Sequence, residues 1–229
     1  MKRALSLVLC LCLVFSLVPA ACADGEAETI LGLKEGNIYL SEFLGVTAVF
    51  DEDWVLLSDE EAQEAMGHVA DSFEDEDLTK LLRESGTVCD LFAVAQDGSG
   101  DSVNIQLENL GLLYGMVLSE TAYAKRMLEP LKSSLEPMGL EDVEIGQESI
   151  DFAGEEHLSL TVSGEMNGAE LYERLVLLKA GSYMATVTYA SVGSHNADRL
   201  PELFFALDAN ASEAARQFKK VLNIYPLGS

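Results

Sequence analysis

The stretch from Val143 to Ala190 constrains the fold more than any other part of the chain. Within it Leu158, Leu160 and Val162 alternate with His157, Ser159, Thr161 and Ser163, a period of two that suits a strand and no helix. Asn167-Gly168 and Gly181-Ser182 interrupt the run with turn-forming pairs. Val143–Phe152, the alternating segment, Leu171–Lys179 and Tyr183–Ala190 therefore read as four consecutive strands joined by short turns, an antiparallel meander.

Two further strand pairs precede it. Thr87–Gln96 and Ser102–Leu110 flank the two-glycine turn Asp97–Asp101 and predict a hairpin. In its second arm Val103, Ile105 and Leu107 oppose Asn104, Gln106 and Glu108, so one face is expected buried and the other wetter. Asn37–Leu40 and Val46–Phe50 read as two short strands.

Helices are signalled by caps and by 3.6-residue spacing. Ser58-Asp59-Glu60-Glu61 has the form of a capping box, and the apolar set behind it predicts a helix near 59–72. Leu78, Leu81 and Leu82 suggest a short helix stopping at Gly86. Ser119 can cap a long helix carrying Tyr123, Met127, Leu128, Leu131, Leu135 and Met138, which Pro130 is expected to kink or split. Asn196 is expected to cap a last helix with Leu200, Leu203, Phe204 and Leu207. This order lacks regular βαβ alternation, which predicts an α+β class. The expected architecture is an antiparallel sheet of about six to eight strands flanked by helices on both faces.

The chain opens Met1-Lys2-Arg3 and then runs apolar for 15 residues, Ala4 to Val18, with its first acid at Asp24. These are the parts of a secretory leader, expected over residues 1–23. Two processing routes stay open. Val18-Pro19-Ala20-Ala21-Cys22 resembles a bacterial lipoprotein signal that acylates Cys22, with Pro19 where leucine is usual. Ala21-Cys22-Ala23 is equally an A-x-A site that leaves Asp24 first. Residues 24–35 read as a short tether, 36–209 as a single domain and 210–229 as an amphipathic tail. Only Cys89 of the four cysteines lies inside the domain, so packing rather than an internal disulfide has to hold it.

The chain carries 39 acidic against 14 basic residues, a net charge of −25. Such a surface repels nucleic acid and leaves no polybasic patch for lipid, so any membrane attachment would run through Cys22. Partners are expected to be basic or cationic. With 48% apolar residues the composition is that of a folded globule. Past the leader, the tail inverts the sign of the body, with Arg216, Lys219 and Lys220 against Glu213. Ala211, Ala214, Phe218, Leu222 and Tyr225 recur there at helical spacing, and the tail is expected to dock on its own acidic domain.

Three stretches resemble the PsbP-like fold family: Leu44–Phe50 followed by Asp53-Trp54, Val103–Asn109 leading to a helix at Ser119, and Ile150–Gly154 continuing to Tyr172 and Lys179–Tyr183. The likeness spans about residues 36–209 and contains no catalytic signature. It implies helices on both faces of an antiparallel sheet, and a binding or accessory role in place of an enzymatic one.

No G-x-S-x-G elbow, H-E-x-x-H, G-x-G-x-x-G or P-loop occurs. His157 shares a strand face with Ser159, a spacing open to a nucleophile–base pair but also that of an ordinary polar strand face. His68 lies off the apolar stripe of its helix, and His195 sits in a turn. The acid clusters Asp51–Asp53, Asp71–Asp77 and Asp97–Asp101 do not follow EF-hand spacing and read as solvated turns and faces. Cys89 reads as a small core residue, and Trp54 as a core anchor. No catalytic, cofactor-binding or metal-ligating residue is assigned, and no cofactor is implied. The expectation is a monomeric, exported bacterial envelope protein with a non-enzymatic binding role. The alternative is a hydrolase of cell-envelope material that uses an unrecognised polar cluster on the sheet.

Overall fold

The computed structural model describes residues 30–62, 64, 87–135, 139–166 and 168–207. Its centre is a seven-stranded antiparallel sheet in the order β4-β5-β6-β10-β9-β8-β7. The strands are β4 (Trp54–Leu56), β5 (Thr87–Ala95), β6 (Ser102–Asn109), β7 (Glu141–Phe152), β8 (Glu155–Met166), β9 (Ala169–Ala180) and β10 (Tyr183–Val192). The meander is present as expected, β7 to β10 lying side by side in chain order. Its first turn uses Ala153 at φ 53° and Gly154 at φ 85°, the doubly left-handed form whose twist suits a two-residue hairpin.

One face of this sheet receives the helix α2 (Glu120–Leu135), which follows α1 (Gly111–Val117). Ser119 caps α2 as expected, its Oγ accepting from the Ala122 amide at 3.2 Å. Tyr123, Ala124, Met127, Leu131 and Leu135 bury themselves on Leu160, Val162, Leu171, Leu175 and Leu177. Pro130 does not split the helix, which runs unbroken from Glu120 to Leu135. Pro130 sits on the exposed side of the helix.

The opposite face is covered chiefly by a second sheet of four strands, ordered β1-β2-β3-β11. These are β1 (Leu33–Glu35), β2 (Ile38–Ser41), β3 (Val46–Val49) and β11 (Phe204–Ala206). Tyr39, Ala48, Phe50 and Phe204 of this layer pack on Leu91, Val103, Ile105, Val176 and Val187 of the large sheet. A 3₁₀ turn (Asn196–Arg199) and the one-turn helix α3 (Leu200–Leu203) complete the cover through Ala197 and Leu200. An antiparallel sheet of the expected size is therefore present. Among the described residues, the layer opposite α2 is mainly strand where helix was expected. β1 falls within the segment 24–35 that reads as a tether, and pairs with β2 from Leu33↔Leu40 to Glu35↔Ile38.

Two local expectations are corrected. Phe204 is not on a helix: the chain turns extended there, at φ −112° and ψ 139°, and pairs with β3. Pairing satisfies the free edge of β3 and lets Phe204 reach Phe152, ring centroids 5.0 Å apart, which a continued helix would forfeit. Nor is the polar face of β6 wet, since Asn104, Gln106 and Glu108 are all buried.

The capping box is observed. Ser58 N donates to Glu61 Oε2 at 2.9 Å and Glu61 N to Ser58 Oγ at 3.3 Å, and the chain is helical from Asp59 to Ala62. The remainder of the helix expected over 59–72, the short helix before Gly86, His68, the Asp71–Asp77 cluster and residues 1–29, with Cys22, lie outside the described residues, as does the tail.

Candidate functional site

The small sheet has two unlike faces, and register decides which residue joins which. Antiparallel partners share a side, so Lys34, Tyr39, Ala48 and Phe204 form an inner row. The adjacent row Leu33, Leu40, Thr47 and Phe205 faces outward, as does Glu35, Ile38 and Val49. On this outer face Ile38 is 45%, Val49 49% and Phe205 53% exposed, with Leu33, Leu40 and Thr47 half-buried between them. A strand face that alternates apolar with polar normally turns its polar side to water. Here the outer side is largely apolar, with Thr47 and Glu35 as its polar members. The acids Glu35, Asp51, Glu52 and Asp53 are all exposed around the end of the face formed by Ile38 and Val49.

The inner row is tied to the large sheet by one carboxylate. Between Cys89 and Leu91 the register of β5 slips, leaving Asp90 unpaired. Its Oδ2 accepts from the Tyr39 hydroxyl at 2.5 Å and its Oδ1 from the Gly32 amide at 2.7 Å. Lys34 Nζ donates to the Asp90 carbonyl at 2.8 Å and also pairs with Asp59. Burial pushes the Asp90 carboxyl above its ordinary range, against the pull of Tyr39, Gly32 and Lys34. This joint fixes the position of the outer face on the domain.

His157 and Ser159 are not brought together as a catalytic pair. His157 Nδ1 lies 2.9 Å from Glu120 Oε1, which also accepts the Lys179 amide at 3.2 Å, while Glu120 Oε2 accepts the Leu158 amide at 3.1 Å. Donating this hydrogen bond to Glu120 raises the His157 pKa above its ordinary value, against desolvation. Ser159 Oγ instead accepts from Arg174, at 3.3 Å. Arg174 also holds Glu148 Oε1 at 2.5 Å and Asp198 Oδ1 at 2.5 Å, and Tyr172 donates to Asp198 at 2.7 Å. Burial would raise the Asp198 carboxyl, but Arg174 and Tyr172 outweigh it and hold it low. These two clusters act as struts: the first holds the start of α2 on β8 and β9, the second the 3₁₀ turn on β9. His195 is stacked on Tyr172 at 4.2 Å between ring centroids, with Nε2 3.2 Å from Glu170.

A buried polar row lies on the face of the large sheet that carries α2, and sequence reasoning missed it. Ser102, Asn104, Gln106 and Glu108 of β6 stand beside Ala190, Thr188, Thr186 and Met184 of β10, and Glu173 of β9 lies beyond Ala190. Tyr123 donates its hydroxyl to Glu108. Among the described residues, both Asn104 amide atoms, both Glu173 carboxyl oxygens, Ser102 Oγ and Thr87 Oγ1 are buried without a hydrogen-bond partner. Burial pushes the Glu173 carboxyl up to about 8. Glu173 and Thr188 sit inside runs that read simply as core strands, and only the alternation of Asn104, Gln106 and Glu108 signalled the row.

The remaining candidates take structural places. Cys89 is buried, donates its thiol to the Leu91 carbonyl at 3.4 Å, and has its pKa raised by burial to about 12, which leaves it unreactive. Trp54 is half-buried between Phe50 and Tyr189, at 5.4 and 5.7 Å between ring centroids. Asp51 accepts the Asp53 amide and Asp97 the Ser99 amide, both in turns. Asp101 points the other way, accepting from Tyr189 and Asn196 at 2.9 Å each. Among the described residues no three His, Cys, Asp or Glu side chains come together as a metal site, and no helix is long and apolar enough to cross a membrane.

No family model matches the chain, and no curated protein matches it. Solved structures similar to it include a Pseudomonas aeruginosa protein of unknown function, at 15% identity and a TM-score of 0.33, with 56% of this chain and 74% of that one covered. A Bacteroides thetaiotaomicron protein is 11% identical at a TM-score of 0.39, covering 77% of this chain and 50% of its own. LpqN of Mycobacterium tuberculosis, involved in cell envelope biogenesis, is 9% identical at a TM-score of 0.37, covering 76% and 88%.

Proposed function

We propose that this chain is an exported envelope protein with a binding or accessory role, and that the outer face of the small sheet is where it binds. The observation that carries this reading is the adjacent exposure of Ile38, Val49 and Phe205 on one largely apolar face of the small sheet. Contiguous apolar surface of this kind marks interaction sites on soluble proteins. The acids at one end of the face and the net charge of −25 select a partner segment that is apolar along one side and basic at one end. Export rests on the leader pattern of residues 1–23, and lipid attachment on Cys22. The PsbP-like likeness and helices on both faces of the large sheet belong to the same reading, supported by α2 on one face and by residues 196–203 on the other.

Immobilised chain starting at Asp24 is expected to retain a partner from envelope extract, and Ile38→Glu/Phe205→Glu to release it. Exposed substitutions of this kind usually move stability by about 0.5 kcal/mol or less, so both proteins should melt alike. Equal retention by the two proteins contradicts the reading. The second reading, a hydrolase, would have to work through the buried polar row, with Glu173 as a proton donor near neutral pH. Its weakness is access, because Ser102, Asn104 and Glu173 are all closed off from solvent.

A further inference from the structure

We propose that the resident occupant of the outer sheet face is the chain's own C-terminal tail, residues 210–229, which an external partner has to displace. This rests on the reading of that face as the binding surface, and adds how access to it is regulated. Where the chain leaves the fold is the first argument. β11 carries Phe205 of the outer face itself, and Leu207 N is bonded to the Gly45 carbonyl at 2.8 Å. The described chain therefore ends, at Leu207, beside the Gly45–Val46 end of the face.

Length and charge give the second. A helix rises about 1.5 Å per residue, so one begun at Ala211 reaches Lys220 after roughly 14 Å. Strand residues rise about 3.3 Å each, so the path from Val46 past Val49 to Asp51 is roughly 16 Å. A tail folded back along the face as a helix would bring Lys219 and Lys220 near the level of Glu35, Asp51 and Glu52 at its far end, with Arg216 about midway. Its apolar residues Ala211, Ala214 and Phe218 fall over Phe205, Leu40, Ile38 and Val49 on the way. Past residue 23 the tail stands out from an acidic body by its net positive charge, Arg216, Lys219 and Lys220 against Glu213, and it has the two-part character the face selects. A tether of a few residues holds it there at an effective concentration in the millimolar range.

The test uses the chain starting at Asp24, in which Cys89 is the only native thiol and is too deeply buried to react. Val49→Cys places a reporter thiol on the face, and its alkylation rate is measured with the native tail and with Phe218→Glu/Leu222→Glu. The native tail is expected to slow labelling about tenfold, as a face covered nine-tenths of the time would be. Added salt should erase part of that protection. A synthetic peptide of residues 208–229 is expected to restore protection to the tail variant in trans. Equal labelling rates in the two tail backgrounds overturn the inference. Protection that grows with protein concentration also overturns it, assigning the face to a second copy. Neither result touches partner retention through Ile38 and Phe205, so the two readings fail separately.

Discussion

Glu173→Leu is expected to stabilise the protein by about 2–3 kcal/mol at pH 8, and by distinctly less at pH 4. Glu173 is fully buried, and among the described residues neither carboxyl oxygen has a hydrogen-bond partner. Its ordinary pKa of 4.5 rises to about 8 in the folded chain through burial alone. Between these values the folded state holds a proton that the unfolded state releases, so stability falls as pH climbs through this window. Below about pH 4.5 both states are protonated, and only the unmade hydrogen bonds remain as a cost. Leucine removes both terms, and its neighbours Leu171 and Leu175 already form an apolar surround on the same face. Self-repulsion among the many acids also weakens the native protein as pH rises, so the informative quantity is the difference between the two proteins. Urea titrations at several pH values give it directly. A substitution that destabilises at pH 8 would show that Glu173 is held by something other than its burial.

The second large effect is expected at the joint between the sheets. Asp90→Ala should cost about 2–4 kcal/mol, since it strands the Gly32 amide and the buried Tyr39 hydroxyl together. Tyr39→Phe should cost about 1–2 kcal/mol, removing one donor and leaving the carboxylate its Gly32 bond. Because the two substitutions remove the same bond, the double variant should be less destabilised than the two single losses added together. Strict additivity would mean that Tyr39 and Asp90 do not hold the small sheet in place.

The strand content was legible because its signals are local. The meander from Glu141 to Val192 and the hairpin from Thr87 to Asn109 lie where alternation and turn residues put them. The caps at Ser58 and Ser119 were equally plain, since each needs only residues three apart. What escaped depends on distant partners. Phe204 has helical spacing to Leu200, and only the open edge of β3 and the ring of Phe152 draw it into a strand. Asp90 looks like a stray acid in a core strand until the bulge in β5 turns it toward Tyr39. His157 and Ser159 share a strand face, and nothing in their spacing reveals that Glu120 and Arg174 engage them separately. The outer face was hidden for the same reason. Leu33, Ile38, Leu40 and Val49 come from three short neighbouring strands, but Phe205 joins them from the far end of the domain, and only the register gathers all five.

That gathered face is the centre of the account, and photo-crosslinking in the living cell tests it most directly. Phe205 is replaced by a photoreactive phenylalanine analogue, with the same analogue at exposed Glu156, off the outer face on the β7–β8 hairpin, as control. The account predicts a discrete adduct larger than the chain at position 205, lost when Ile38→Glu is added, and none at position 156. Adducts at 156 with none at 205 would contradict it.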